Sequence, residues 1–226
     1  FSDAEKLALS ITQRFPNHVF GWKVLAEVFR QKGRISEALI PGQKAVELDP
    51  QDSEVHSNLG ITLHHSGKLE EAEASYKKAI ALKPDFAEVH GNLAVTLQEL
   101  GKLQEAEASC RKAIALNPNN AEAHSNLGVT LKDLGRLEEA EASYAQAVVL
   151  KPDYAEAHGN LGNTLRELGR LEEAEASYRK VIALKPDFAE AHGNLGNLLQ
   201  DLGRLDEAEA SYAQAVVLKP DFAVAH

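Results

Sequence analysis

Residues 121–154 read AEAHSNLGVTLKDLGRLEEAEASYAQAVVLKPDY. Leu127, Leu131 and Leu134 recur at four- and three-residue spacing, which puts them on one face of a helix. Gly135 then supplies the left-handed conformation that ends that helix. A second periodic run, Leu137, Ala140, Tyr144, Ala147 and Val148, predicts a second helix, closed by Pro152. Gly128 and Ala140 are small where the two helices must come close. Asp153 stands three residues before Glu156, the spacing of a capping box, and Asp85/Glu88, Asn119/Glu122 and Asp187/Glu190 repeat it. The expectation is that these glutamates are committed to the start of the next helix.

The same 34 residues recur along the chain. Pro16, Pro50, Pro84, Pro118, Pro152, Pro186 and Pro220 are each 34 residues apart, as are Gly33, Gly67, Gly101, Gly135, Gly169 and Gly203. Ala38, Ala72, Ala106, Ala140, Ala174 and Ala208 keep the same period. So do Ala45, Ala79, Ala113, Ala147 and Ala215, a series broken by Val181. A fixed period of this length marks a repeat architecture. With positions numbered 1 to 34 from residue 121, the constant features are Leu-Gly at 7–8, Ala at 20, Tyr or Phe at 24, Ala at 27 and Pro at 32. This pattern resembles the tetratricopeptide repeat over the whole chain. The resemblance implies an all-α fold, a right-handed α-solenoid of stacked antiparallel helix pairs. Complete repeats span 19–52, 53–86, 87–120, 121–154, 155–188 and 189–222. Residues 1–18 fit the second helix of a preceding unit, and 223–226 the beginning of a further one, together forming one continuous solenoid.

Departures from the pattern are expected to matter. Position 4 is Trp22 in the first repeat, then His56, His90, His124, His158 and His192. Ala26 and Ala94 replace the glycine at position 8, and Cys110 replaces the aromatic at 24. Pro41 falls inside a predicted second helix, where it removes a backbone donor, so 31–50 is expected to be kinked and the least regular stretch.

Composition narrows the partners. The 226 residues carry a formal charge of −10 and 44% apolar residues, a globular balance. An acidic chain is repelled by nucleic-acid backbones and by anionic membranes, so neither is expected as a partner. No apolar run is long enough to span a bilayer. Cys110 stands alone, which permits a reducing compartment, and a cytoplasmic location is the expectation. The absence of any methionine suggests a segment of a longer protein.

In the resembled family the first helix of each pair lines an inner surface, with positions 2, 5, 6, 9, 12 and 13 facing it. Position 6 is Asn58, Asn92, Asn126, Asn160 and Asn194. A carboxamide both donates and accepts, so it can pair with the N–H and C=O of a peptide main chain. A ladder of them suits an extended peptide or partner protein, held without reading its side chains. Similar ladders characterise the repeat region of O-GlcNAc transferases, which these repeats resemble. That likeness implies a substrate-recruiting region of a larger glycosyltransferase. Repeat duplication also copies residues that do nothing, and this reading stays open. Position 9 changes from Ile61, Val95 and Val129 to Asn163 and Asn197. Position 12 runs His64, Gln98, Lys132, Arg166, Gln200, and position 13 runs His65, Glu99, Asp133, Glu167, Asp201. The mixture suits a polar, somewhat basic segment contacted by Lys132 and Arg166, or is simply a solvated helix face.

A clamp for a C-terminal carboxylate, as in chaperone-binding members, is not expected, because position 2 is Glu54, Glu88, Glu122, Glu156 and Glu190. The position-4 histidines should lie on the order of 16–20 Å apart, two helix packing distances. Zinc ligands sit about 2 Å from the metal. The histidines are therefore expected to pack with hydrogen-bond partners and not to bind metal. No phosphate loop, nucleophile elbow or metalloprotease motif is present, and neither a cofactor nor catalysis is expected of this segment. Self-association through exposed terminal helices is the alternative to peptide binding.

Overall fold

The computed structural model describes residues 2–219, so Pro220, the residues 223–226 assigned to a further repeat and Val224 lie outside it. Thirteen helices are found among the described residues, and no strand. They form two compact units, Phe1–Pro118 and the chain from Asn119 onward. The first holds α1 (Ser2–Arg14), α2 (Val19–Gln31), α3 (Ile35–Leu48), α4 (Ser53–His65), α5 (Leu69–Leu82), α6 (Ala87–Glu99) and α7 (Leu103–Leu116). The second holds α8 (Ala121–Asp133), α9 (Leu137–Leu150), α10 (Ala155–Glu167), α11 (Leu171–Leu184), α12 (Ala189–Asp201) and α13 (Leu205–Leu218). From residue 19 on, each repeat is one helix over positions 1–13 (A) and one over 17–30 (B).

The turn between A and B is made by the predicted glycine. Gly135 has φ of 74°, and its N–H donates to Lys132 O while Arg136 N–H donates to Leu131 O at 2.9 Å. Those two bonds satisfy carbonyls that the helix end would orphan. All six glycines of the series share this conformation, so a side chain there would be strained in every repeat.

Four of the A–B pairs are closed by a contact between positions 8 and 24. A Cβ added to Gly128 would lie 2.6 Å from the Tyr144 ring, and Gly60 and Gly196 stand equally close to Tyr76 and Tyr212. The buried ring lies directly on helix A backbone, with Ala72, Ala140 and Ala174 packed to no exposure beside it. The two departures noted in repeat 87–120 therefore form one exchange. Ala94 adds a methyl where Cys110 withdraws a ring, and both are buried. In repeat 19–52 the same pair is Ala26 and Gly42.

Two expectations are corrected. α3 is one continuous helix in the same register as its counterparts, with Pro41 buried inside it. The carbonyl that Pro41 leaves without a donor belongs to Glu37, an exposed residue that water can reach. The capping boxes are also displaced. Helices α6, α10 and α12 begin after Phe86, Tyr154 and Phe188, none of which caps with its side chain. Asp153 instead accepts the Ala155 N–H through its backbone carbonyl, at 3.0 Å. Side-chain caps occur one residue later in the repeat, where Asp52 accepts from Glu54 N–H and Asn120 from Glu122 and Ala123 N–H. The position-2 glutamates are thus second in their helices, one place short of the third position that a box requires.

Candidate peptide-binding groove

Within each unit the A helices form the inner side. Helix α4 approaches both α2 and α6, and α8 approaches α10, whereas no pair of B helices makes a comparable approach. Packing A helices closer than B helices curves the stack toward the A face, the concave surface of a repeat solenoid.

Asn58, Asn92, Asn126, Asn160 and Asn194 are all half-buried. Their backbones are fixed, since Thr62, Thr96, Thr130 and Thr164 donate Oγ1 to the Asn58, Asn92, Asn126 and Asn160 carbonyls at 2.8–3.0 Å. Their carboxamides make no hydrogen bond to other described residues. The position-9 asparagines differ. Tyr178 donates its hydroxyl hydrogen to Asn163 Oδ1 at 2.8 Å, and Tyr212 donates to Asn197 Oδ1 at 2.7 Å. Asn163 and Asn197 therefore keep their amide donors for a ligand but have engaged their oxygens.

The basic residues predicted for the groove are paired between repeats. Lys132 meets Glu167 at 2.7 Å and Arg166 meets Asp201 at 2.7 Å, while His64 Nε2 lies 3.1 Å from Glu99 in the first unit. Position 12 thus bridges to position 13 of the next repeat, 35 residues on. Opposite charges 35 residues apart are the signal in the sequence that points to these pairs. A second bridge joins position 21 to position 16 of the next repeat: Glu5–Arg34, Glu73–Lys102, Glu141–Arg170 and Glu175–Arg204, at 2.7–3.2 Å. Glu73 is buried, and hydrogen bonds from Lys102 and Lys77 hold its carboxyl below the usual range. Lys23, the cation at position 5, is engaged by Asp52 and Glu54, both at 2.9 Å.

The position-4 residues fix one repeat to the next. Trp22 Nε1 donates to Pro16 O at 2.8 Å. The Nε2 atoms of His56, His90, His158 and His192 lie 3.0–3.1 Å from the carbonyls of Pro50, Pro84, Pro152 and Pro186. A carbonyl only accepts, so Nε2 carries the hydrogen, and tryptophan and histidine are interchangeable here because each presents a ring N–H. Burial pushes the His158 pKa down. No group of three or more metal-ligating side chains occurs among the described residues, and none of their helices is long and apolar enough to cross a membrane.

Three clefts open among these residues. In the first unit a cleft of about 300 Å³ is lined by Asn92, Ile61, Val95, Tyr76, His64 and His65. In the second, a cleft of about 330 Å³ brings together Asn160, Asn163 and Asn194 over Val181 and Ala191. Another, of about 470 Å³, gathers Lys132, Asn163 and Arg166 beside Tyr178. Asn163 and Tyr178 line both clefts of the second unit. Asn58, Asn126 and Asn197 line none of the three.

Comparison with known proteins places the fold. Among solved structures, MamA matches with 25% identity and a TM-score of 0.68, covering 77% of this chain and 95% of that one. YrrB, described as a TPR protein with an unusual peptide-binding site, matches with 26% identity and a TM-score of 0.67, over 80% of this chain and 93% of that one. PilF of Pseudomonas aeruginosa shares the fold at 20% identity and a TM-score of 0.79, over 89% of this chain and 92% of that one. No match was found among curated proteins. The resemblance to O-GlcNAc transferase repeats rests on the position-6 asparagines alone. The model of the Cilia and flagella-associated protein 70 C-terminal domain matches residues 21–222, and the chain belongs to that family of tetratricopeptide arrays, whose fold is that of a protein-interaction scaffold.

Proposed function

We propose that the A-helix face binds an extended segment of a partner polypeptide, with the position-6 asparagines pairing with its main chain. One observation carries this reading. Five carboxamides on the inner side, three of them in the second unit, have no hydrogen-bond partner among the described residues, and threonine hydroxyls engage the backbone carbonyls of four of them. Asparagine is a mediocre residue for a helix interior, and a half-buried amide without a partner gives up hydration that a ligand can replace. The peptide-binding site described for YrrB lends the same reading support by likeness of fold.

A displayed library of random peptides tests it. The whole chain should enrich peptides, and N126A/N160A/N194A should lose that enrichment while its helical circular dichroism is unchanged. Enrichment that survives the triple substitution removes the ladder from the mechanism.

Self-association is a second reading, favoured by exposed Leu205, Val216 and Val217 on α13. Light scattering at rising concentration reports it, and a mass constant at 24.5 kDa removes it.

A further inference from the structure

Of the position-2 glutamates, Glu54 is paired with Lys23, but those of the second cleft are not engaged. Glu156 and Glu190 are exposed, one helical turn before Asn160 and Asn194, and form no ion pair among the described residues. Both stand at the rim of the cleft of about 330 Å³ in the second unit. Lys185 is the third charged residue of its lining, lying 5.9 Å from the centre of the Phe188 ring. The rim is therefore net acidic.

The floor is apolar because this repeat departs from its neighbours. Val181 is the one break in the alanine series at position 27, and it packs with Ala155 and Ala191. One repeat earlier the corresponding positions hold Ser125 and Tyr154, both with hydroxyls. The pair here is Gly159 and Phe188, which carry none. A Cβ added to Gly159 meets nothing nearer than Val181 Cγ2 at 3.9 Å. Neither residue of this pair brings a polar group, and a space over an aliphatic floor lies beside them.

We infer that this cleft receives one aliphatic side chain of the bound peptide, and that Glu156 and Glu190 select lysine or arginine on either side of it. The inference rests on the main-chain reading above. Directly packed A helices, such as α8 and α10, lie about 8–10 Å apart, one packing distance and not the two expected of the position-4 histidines. An extended chain rises about 3.3 Å per residue, so successive repeats address residues about three apart. Glu156 and Glu190 are one repeat apart, so an aliphatic residue in the cleft then lies between two basic residues about three apart, one within reach of each carboxylate.

Fluorescence anisotropy with the whole chain and labelled synthetic peptides tests this. The probes are Ser-Lys-Leu-Thr-Lys-Ser, the same peptide with Ala for Leu, and the same peptide with both Lys replaced by Glu. The Leu/Lys probe should bind about tenfold tighter than the Ala probe, from the apolar area a leucine adds, and tighter than the Glu probe. G159L fills the cleft and should abolish the Leu-over-Ala preference while the Ala probe still binds. G159S, a milder change that restores the hydroxyl, should reduce the preference. E156Q/E190Q should abolish the preference for Lys over Glu. Equal binding of the Leu and Ala probes, or a preference that survives G159L, overturns the inference and leaves the asparagine reading standing. Binding that N160A/N194A does not weaken, or no binding of any probe, overturns that reading itself.

Discussion

The cleft of the first unit and that of the second are built on the same frame and differ in what faces the ligand. Each is backed by a buried tyrosine lying on a glycine of the paired helix, Tyr76 on Gly60 and Tyr178 on Gly162. Position 9 then separates them. Ile61 and Val95 line the first cleft and offer the Tyr76 hydroxyl no acceptor, whereas Asn163 accepts from Tyr178. The first is flanked by His64 and His65 and the second by free carboxamides. One repeat scaffold thus carries two clefts of different lining, because position 9 sits beside the tyrosine hydroxyl.

The frame should be indispensable in both. Y76A and Y178A each remove a fully packed ring and should cost about 3–5 kcal/mol of stability, read by denaturant unfolding. A much smaller loss in one would mean that its cleft is not backed as described. The second expectation concerns close packing. G60A and G162A press a methyl within 3 Å of the ring and should destabilise by about 1–3 kcal/mol, less up to about 1 kcal/mol of helix propensity. G60A/Y76C copies the Ala94/Cys110 solution and should recover part of that loss.

Exchanging position 9 sharpens the difference directly. N163V removes the acceptor for Tyr178 and should cost about 1 kcal/mol. I61N in the first unit should give Tyr76 an acceptor and move stability the other way by a similar amount.

The smallest effect is pH dependence. His158 in the second unit and His65 in the first both have pKa values pushed down, first of all by burial. A histidine with a lowered folded pKa leaves the unfolded chain binding more protons, so stability falls as pH drops from about 6.5 toward the folded value. H158W retains the ring N–H, as Trp22 does, and should flatten the dependence of the second unit. An unchanged slope between pH 7 and 5 would assign it to other groups.

Much of this was legible from single residues at fixed spacing. The glycine turns, the helix pairs, the imidazole partners and the small residues at helix crossings follow from local conformation and a 34-residue period. Pro41 misled because a missing donor disrupts a helix only where the freed carbonyl is cut off from solvent, and Glu37 is exposed. The capping boxes misled by one position, since the three-residue spacing is right for a box in a helix starting one residue earlier. The register is the same whether position 34 is Asp52 or Asn120, which cap with their side chains, or Phe86, Tyr154 or Phe188, which do not. The site was half legible. The amides of Asn160, Asn163 and Asn194 do meet in one cleft, but nothing in one repeat says that Lys132 and Arg166 are taken by Glu167 and Asp201.

The sequence by itself determined the all-helical repeat, the turns and the face on which the asparagines lie, because these depend on backbone preference and periodicity within a single unit. Only the tertiary structure decided which polar groups are spent and which are free. Charges 29 and 35 residues apart pair through stacking of repeats, and so does the alignment of Gly159, Val181 and Ala191 around one cleft. Those distances are properties of packed helices, to which a linear pattern gives no scale.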